Sequence, residues 1–486
     1  MKIHNSATNA MDWLADEGTL VRNEPAQTAD DPLAWKQPHD YSQLLRQARE
    51  RTGLACGMAW GTARISGLDV VLVASDLDFM MGSIGQAESA TLELCFEQAR
   101  RRKWPVVWLA RGSGLRMHEG PCAMTGLRRV LAARNDLASA GLPLVTLGAD
   151  PLLGGAAMAA LQADVVLGIE GARIGHAGVR VVEQHVQGAV PADFQTAAYA
   201  LANGQLDAVV TPEDLPAMLG SLLRCLAART HLAPPTPLPP RADRSSASDP
   251  GAAASAWELV QQVGSDDRPT TRQTIATLFD DLVELRGDRI EHDDPAIAGG
   301  LGRIASRGVA SQGVIIIAHD RMRSAYEKAR HNFAMPHPAG IRKAIRLVRL
   351  AERLSLPIVT LIDSPGACPD VLSERQGMAG VLGQLACELL AASVPSVAVI
   401  LGEACSSGAS AMSACRRVIM SSSSWLGIIH PIGAAAILWK DPAKADQAAT
   451  SLRLTPADCL HHGLVHAIAD PANLRDAIVR ELAVQG

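Results

Sequence analysis

Two distant stretches of the chain repeat the same order of apolar and small residues. Residues 142–147 form an apolar run, and residues 150–158 then pass through glycine and alanine into a helical pattern. Residues 394–401 and 402–410 repeat this order. Each stretch predicts a strand, a tight turn and a helix of small residues.

The resemblance continues beyond the turns. A second apolar run follows each helix, at residues 164–169 and 417–420, and similar closing segments come at 202–209 and 461–468. A long-period repeat of this kind indicates that the chain carries two related domains.

Within each domain, predicted strands alternate with predicted helices. Residues 70–74 and 106–109, and later 314–318 and 358–362, are continuous apolar runs, as expected of strands buried on both faces. Residues 341–352 place apolar side chains at helical spacing with arginines opposite, which predicts an amphipathic helix. The pattern predicts an α/β fold throughout.

A segment rich in Pro, Ser and Ala separates the two predicted domains. It has no hydrophobic periodicity, which is typical of a linker. We therefore predict a first domain over residues 10–230, a linker over 231–255 and a second domain over 256–486.

Composition narrows the function classes. The net charge of −5 is spread along the 486 residues, which argues against binding to nucleic acid or an anionic membrane surface. No signal-peptide pattern opens the chain and no apolar run reaches about 18 residues, so we expect a cytoplasmic protein. The nine cysteines are scattered without a C-x-x-C pair, and no histidine spacing is typical of a metal site, so no metal is expected.

The repeated turns carry the candidate chemistry. At Gly154, Gly155 and Ala156, two consecutive backbone N–H groups at a helix start would stabilise a thioester enolate, because they donate to a developing oxyanion. The alternative is that small residues only allow close packing of helix and strand. The second copy adds Ser407, Gly408 and Ala409. Two such turns suggest a paired active site.

Other loops at strand ends are weaker candidates. Residues 76–85 and 111–119 contain glycines that fit either a tight turn or a ligand-facing loop. Residues 364–369 follow a strand at the end where α/β sites usually lie. Cys368 in this loop has no obvious base beside it in the sequence, which argues against a nucleophile.

At this point the residues resemble a known family. The first domain is similar to the β subunit, and the second to the α subunit, of the carboxyltransferase component of bacterial acetyl-CoA carboxylase, in which fused β–α chains also occur. In the first domain the matching segments are residues 79–85, 116–119, 150–155, 174–184 and 204–208. In the second they are residues 285–289, 293–294, 327–336, 342–344, 362–367 and 433–440.

The resemblance implies a crotonase-like fold in both domains, with an active site between a β-type and an α-type unit. It implies transfer of a carboxyl group from biotin on a separate carrier protein to acetyl-CoA, giving malonyl-CoA for fatty acid or polyketide synthesis. The N–H groups of Gly155 and Ala156 would face the acyl thioester, and those of Gly408 and Ala409 the biotin ureido oxygen. The residues expected to line the substrate are Phe79, Gly82, Ser83, Gly85, Gly114, Arg116, Gly178, Pro365, Gly366 and Ala367.

The implied partners are an acyl-CoA or acyl-carrier-protein thioester, a biotin carboxyl carrier protein and a biotin carboxylase. The resemblance also implies a homo-oligomer, a dimer of fused chains.

Several positions depart from the family pattern. No segment supplies the four-cysteine zinc ribbon that usually opens the β subunit. Where the family usually has Gly-Gly-Ser-Gly-Gly, residues 404–408 of this chain are Ala-Cys-Ser-Ser-Gly. Cys368 stands where the family usually has a tyrosine, and Asp370 and Leu372 replace glycines. These changes lie on the biotin side and leave two alternatives open: a biotin-independent decarboxylase of malonyl-CoA or malonyl-acyl carrier protein, and a non-catalytic paralogue.

Overall fold

The computed structural model describes residues 6–28, 30–36, 39–177, 190–228, 255–306 and 309–485, together with residue 182. It contains two compact units, Met1–Arg224 and Cys225–Gly486. Apart from residue 255, the predicted linker lies outside the described residues, and the predicted domain limits stay a prediction.

The first unit is built on one eight-stranded sheet. The strand order is β1-β2-β3-β4-β5-β6-β8, with β7 beside the end of β5. The strands β1 to β3 pair antiparallel and all the later pairs are parallel. The strands are β1 (Val21–Asn23), β2 (Met58–Ile65), β3 (Leu68–Ser75), β4 (Val106–Gly112), β5 (Leu144–Leu153), β6 (Val165–Ile169), β7 (Ile174–Gly175) and β8 (Ala208–Val210).

Helices and short turns connect these strands. The α-helices are Ala7–Leu14, Tyr41–Thr52, Gln86–Arg102, Pro121–Ser139, Gly154–Ala160, Ala197–Ala202 and Leu215–Ala227, and the short helical turns are Met80–Gly82 and Met117–Glu119.

The second unit repeats this topology. The strand order is β9-β10-β11-β12-β13-β14-β16, with β15 beside the end of β13, and only β9 to β11 pair antiparallel. The strands are β9 (Asp281–Glu284), β10 (Ile297–Ser306), β11 (Val309–His319), β12 (Ile358–Ser364), β13 (Ser396–Cys405), β14 (Arg417–Ser421), β15 (Trp425–Gly427) and β16 (Ala467–Ala469). The predicted α/β class with two repeated domains is confirmed.

The helices of the second unit cover its sheet in the same way. The α-helices are Ala256–Val263, Thr271–Leu278, Ala325–Arg330, Pro338–Leu354, Val371–Arg375, Met378–Ala391, Ser406–Met412, Pro431–Leu438, Ala445–Ser451, Pro456–His461 and Leu474–Ala483, and the short helical turns are Asn332–Ala334, Pro442–Lys444 and Pro471–Asn473. None of the helices in the described parts of the chain is long and apolar enough to cross a membrane.

The central strands explain the continuous apolar runs in the sequence. Every residue of β4 and of β12 is buried, because helices cover both faces of a parallel sheet. The predicted amphipathic helix is confirmed within Pro338–Leu354. It begins earlier than predicted, since Pro338 suits the first helical turn, where no backbone N–H is needed.

In each sheet, a glycine allows the edge strand to approach its neighbouring strand closely. A β-carbon at Gly61 would lie 2.2 Å from the carbonyl oxygen of Val21, and one at Gly300 would lie 2.0 Å from that of Val283. Both carbonyl groups belong to backbone paired in the sheet, so neither can move aside without breaking strand pairing.

We expect Gly300→Ala to destabilise the second unit by about 1–3 kcal/mol, since the added methyl group overpacks the contact between β9 and β10. Gly380→Ala is the matched control, because a β-carbon there meets nothing within 4 Å and alanine favours the helix Met378–Ala391. Urea unfolding of the full chain measures both. Equal midpoints for the two variants would contradict the steric argument.

Candidate active site

A left-handed turn follows β3 in the first unit. Met80, Met81 and Gly82 have φ values of 51°, 56° and 63°, and the turn is closed where Gly82 N donates to the Phe79 carbonyl at 2.9 Å. Positive φ is costly for residues with side chains, so neighbouring structure must hold this turn in place.

The loop after β4 holds that turn through its backbone. Ser113 N donates to the Met81 carbonyl at 3.1 Å, and Ile84 N donates to the Gly114 carbonyl at 2.8 Å. A β-carbon at Gly82 would lie 2.9 Å from the Cα of Gly112. The two loops therefore pack backbone against backbone.

The turn after β5 completes the group. Gly154 has a φ of 55° and opens the helix Gly154–Ala160. A β-carbon at Gly154 would lie 3.3 Å from the Cα of Gly114, and one at Gly155 would lie 2.6 Å from Cγ of Leu115. The N–H groups of Gly155 and Ala156 lie in the first turn of the helix, where N–H groups have no intrahelical acceptor.

The second unit forms the same left-handed turn from different residues. Asn332, Phe333 and Ala334 have φ values of 44°, 55° and 60°, and Ala334 N donates to the His331 carbonyl at 2.9 Å. The sequence analysis matched this segment to the family but missed the turn, because it contains no glycine. Phe333 and Met81, at the middle of the two turns, are exposed to similar extents, 53% and 60%.

The helix start after β13 repeats the one after β5. Ser406 has a φ of 64°, close to that of Gly154, and opens the helix Ser406–Met412. A β-carbon at Gly408 would lie 2.8 Å from the backbone nitrogen of Ala367. Gly366 approaches Ser406 in turn, because a β-carbon at Gly366 would lie 3.4 Å from Cβ of Ser406.

The structural match between the two helix starts shifts the expected N–H pair of the second unit by one residue. Since Gly154 and Ser406 occupy the same position, Gly155 and Ala156 correspond to Ser407 and Gly408, whereas the sequence analysis matched Gly408 and Ala409. Ser406 is therefore the residue with a side chain that adopts a positive φ where the first unit has a glycine. Which N–H pair binds a ligand stays a prediction.

The structure places Arg116 in the interior, with 2% of its surface exposed. Its Nε donates to the Ser83 hydroxyl at 2.6 Å, one terminal nitrogen donates to Glu88 at 2.9 Å, and the other donates to the Tyr41 hydroxyl at 2.9 Å. Arg116 thus contacts the loop from beneath, through the hydroxyl and carbonyl groups of Ser83.

Two carboxylates complete this buried network. Glu88 accepts hydrogen bonds from Gly57 N and Gly85 N; burial opposes its ionisation, but Arg116 and these N–H groups hold its pKa below the usual range. Burial raises the pKa of Glu119, which accepts from the Tyr41 hydroxyl at 2.6 Å. The network locks the start of the helix Gln86–Arg102 against the loop.

The predicted site residues therefore fall into distinct groups. Close together in the first unit lie Gly82, Gly114, Gly154, Gly155 and Ala156. Close together in the second unit lie Pro365, Gly366, Ala367, Ser407 and Gly408, with Ala409 buried one residue further along the helix. Beneath the first group lie Phe79, Ser83, Gly85 and Arg116. Gly178 lies outside the described residues.

The sequence analysis missed a carboxyl group beside the second site. Glu403 lines a cavity of about 220 Å³ together with Phe333, Pro365 and Arg321, and its Oε1 has no hydrogen-bond partner among the described residues. Burial, followed by repulsion from Asp363, raises the pKa of Glu403 to about 7.

The carboxylate of Asp363 is already hydrogen-bonded. It accepts from Arg268 at 2.7 Å and from the backbone nitrogen of Glu403 at 2.9 Å. Glu403 is thus held beside the carboxylate that Arg268 binds. The sequence gives no local signal for the contact between Glu403 and Asp363, because these two residues and Arg268 lie far apart in the chain.

Comparison with known proteins gives the family. Residues 35–255 match the family model described as "Carboxyl transferase domain", and residues 247–475 match "Acetyl co-enzyme A carboxylase carboxyltransferase-like". The acetyl-coenzyme A carboxylase carboxyl transferase subunits beta/alpha of Salinispora arenicola are 38% identical over 94% of this chain and 81% of that protein. The chain belongs to this carboxyltransferase family.

Other comparisons agree. The corresponding alpha subunit of Thermus thermophilus is 39% identical over 46% of this chain and 74% of that protein. The crystal structure of transcarboxylase 12S, a hexamer assembly, superposes with a TM-score of 0.76 at 19% identity, over 99% of this chain and 89% of that one. The expected crotonase-like fold is confirmed in both units.

We expect Arg116→Met to destabilise the first unit by about 3–5 kcal/mol, because it leaves the buried carboxylate of Glu88 without its cation. The matched control is Arg101→Met, which removes an exposed ion pair to Glu97 and should cost no more than about 0.5 kcal/mol. Thermal and urea unfolding measure both. Similar losses of stability in the two variants would contradict the view that the buried ion pair between Arg116 and Glu88 stabilises the first unit.

We expect Glu403 to make the second unit less stable as the pH rises through about 7. Its raised pKa means that the folded state binds a proton more tightly, so its contribution is complete at acid pH and is lost as the carboxyl group ionises. Relative to wild type, Glu403→Gln should be neutral near pH 4, below the usual glutamate pKa of 4.5, and more stable by about 1–3 kcal/mol near pH 8. Unfolding midpoints across this range test the prediction, with the exposed Glu374→Gln as control. A constant difference across the pH range would refute it.

Proposed function

We propose that this protein is the carboxyltransferase of an acetyl-CoA carboxylase. It would transfer a carboxyl group from carboxybiotin on a carrier protein to the α-carbon of acetyl-CoA, giving malonyl-CoA. The observation that carries the proposal is the repeated geometry: each unit has a left-handed turn beside a helix start whose first residue has positive φ. The names of the collinear relatives support the same reaction.

The first unit would stabilise the enolate of the substrate. When the α-proton of acetyl-CoA leaves, negative charge develops on the thioester oxygen, and the N–H groups of Gly155 and Ala156 would donate to it. The backbone of Gly82 and Gly114 would shape the surrounding wall. Because these donors belong to closely packed backbone, they need little reorganisation as charge develops.

In the second unit, the corresponding N–H groups would face the ureido oxygen of biotin. Ser406 keeps the positive φ that Gly154 has, so the N–H groups of Ser407 and Gly408 occupy the positions of Gly155 and Ala156. Gly366 and Ala367 lie directly against this turn. Carboxybiotin would supply the carboxyl group as CO₂ and a base for the α-proton.

The transfer then balances within the site. The N–carboxyl bond of carboxybiotin and the α C–H bond of acetyl-CoA would break, a C–C bond to CO₂ would form, and the α-proton would move to the nitrogen that lost the carboxyl group. Neither unit needs a side-chain nucleophile for this step. We propose that a biotin carboxyl carrier protein and a biotin carboxylase complete the cycle, and that the chain works as a homo-oligomer supplying malonyl units for fatty acid or polyketide synthesis.

The departures from the family run do not favour the two alternatives. A biotin-independent decarboxylase or a non-catalytic paralogue was suggested by the loss of glycines at residues 404–408. The turn at Ser406 nevertheless adopts the conformation of its glycine counterpart in the first unit. The backbone donors are therefore retained despite the change of side chain.

We expect the purified protein to convert malonyl-CoA to acetyl-CoA only when biotin is added, since in the reverse of the proposed reaction biotin accepts the carboxyl group, which it then releases as CO₂. Acetyl-CoA formation is measured with and without free biotin and with a biotinylated carrier. Turnover that is indifferent to biotin would make the protein a decarboxylase. Absence of turnover under all conditions would make it a non-catalytic partner.

A matched pair of variants locates the activity. Gly155→Ala places a β-carbon 2.6 Å from Leu115, so the turn must shift and turnover should fall by about 10–100-fold. Gly383→Ala adds the same methyl group where nothing lies within 4 Å and should leave turnover unchanged. Unfolding midpoints of both variants separate loss of activity from loss of folding.

A further inference from the structure

Three side chains with metal-binding atoms converge in the second unit. His337, Cys368 and Asp370 each offer one donor atom, and these atoms all lie within 4.8 Å of one another. Among the described residues, this is the one group of three or more such donors. The histidine lies about 30 positions before the other two, so the sequence analysis, which found no partner for Cys368, could not identify it.

The separation of the imidazole and carboxylate donors suits tetrahedral coordination of one ion. His337 Nε2 lies 3.3 Å from Asp370 Oδ2. Zinc binds nitrogen and oxygen ligands at about 2.0–2.1 Å, so two such ligands at a tetrahedral angle lie about 3.3 Å apart. The three donors are a thiol, an imidazole and a carboxylate, the ligand set that zinc accepts.

The surrounding backbone orients each donor. Cys368 N donates to the Pro336 carbonyl at 3.0 Å, which joins the two segments that carry the thiol and the imidazole. His337 N donates to Asp294 at 2.7 Å. Ser373 N donates to Asp370 Oδ1 at 2.7 Å, which leaves Oδ2 directed at the imidazole.

The convergence of the donors argues against a nucleophilic triad. A thiol, an imidazole and a carboxylate acting in sequence would use opposite nitrogens of the ring, which places the thiol and the carboxylate on opposite sides of it. Here the thiol sulfur and a carboxylate oxygen lie within 4.8 Å of each other and of a ring nitrogen. An ion bound between them would contact all three donors.

We propose that His337, Cys368 and Asp370 bind one divalent ion of the zinc class, with the fourth position open to water. The thiol is buried, whereas the side chains of His337 and Asp370 are 28% and 44% exposed, so an ion can enter from solvent. Cys368 and Asp370 are two of the positions at which the chain departs from the family pattern.

The ion would fasten a loop of the candidate site. Cys368 follows Pro365, Gly366 and Ala367 directly, and Gly366 lies against the turn at Ser406. Binding would tie this loop to the start of the helix Pro338–Leu354. The inference does not depend on the proposed function, since it rests on the donor geometry alone.

The test uses the full-length protein, freed of metal with a chelator and titrated with Co²⁺. Thiolate coordination gives a near-ultraviolet charge-transfer absorption, which we expect to saturate at one Co²⁺ per chain and to disappear when Zn²⁺ is added. Cys368→Ser should abolish this absorption, and His337→Gln and Asp370→Asn should each weaken Co²⁺ affinity at least about tenfold. Cys387→Ser, which alters an exposed cysteine elsewhere, is the control and should bind Co²⁺ as wild type does.

A second measurement is independent of colour. Zn²⁺ should raise the unfolding temperature of the wild-type protein and of Cys387→Ser but not that of His337→Gln, because an ion that binds only the folded state stabilises it. The proposal is overturned if the absorption persists in Cys368→Ser or if no Co²⁺ is taken up. Rapid alkylation of Cys368 that needs His337 without metal uptake would instead identify an activated thiol.

Discussion

The close approach of backbone to backbone at the carboxyl ends of the parallel strands is the constraint on which both candidate sites depend. Gly82 and Gly112 meet at a distance that leaves no room for a β-carbon, and Gly408 meets Ala367 in the same way. Because such contacts involve main-chain atoms on both sides, they fix the direction of the N–H groups nearby. The chemistry proposed for this protein needs that fixed direction more than it needs any particular side chain.

The two units reach this geometry with different residues. The left-handed turn is Met80–Gly82 in one and Asn332–Ala334 in the other, and the helix start is Gly154 in one and Ser406 in the other. A residue with a side chain at positive φ costs on the order of 1–3 kcal/mol, so the second unit bears a conformational cost that surrounding packing offsets. Loss of glycine at a turn is therefore weak evidence for loss of function when the neighbouring loop still holds the backbone.

Much of the fold could be predicted because burial leaves a direct trace in the sequence. The strands buried on both faces are continuous apolar runs, and the two-domain repeat follows from the order of these runs. The site was harder, since its contacts join residues distant in the chain. Arg116 was expected to line the substrate, yet its partner Tyr41 lies 75 residues away and holds it in the interior. His337 and Glu403 carried no local signal, because only the strand order gives each its neighbours.

The polar groups of the two units differ in a way that bears on how each can respond to pH. Beneath the first site, Arg116, Glu88 and Tyr41 satisfy one another, and the pKa of Glu88 is held below its usual range, so this network keeps its charges across the physiological range. Beside the second site, Glu403 has an oxygen with no hydrogen-bond partner in the described part of the chain, and burial raises its pKa to about 7. A carboxyl group poised in this way changes charge under conditions that leave the first network unaltered. Glu403 is therefore one source of pH dependence near neutrality, and it lies in the second unit.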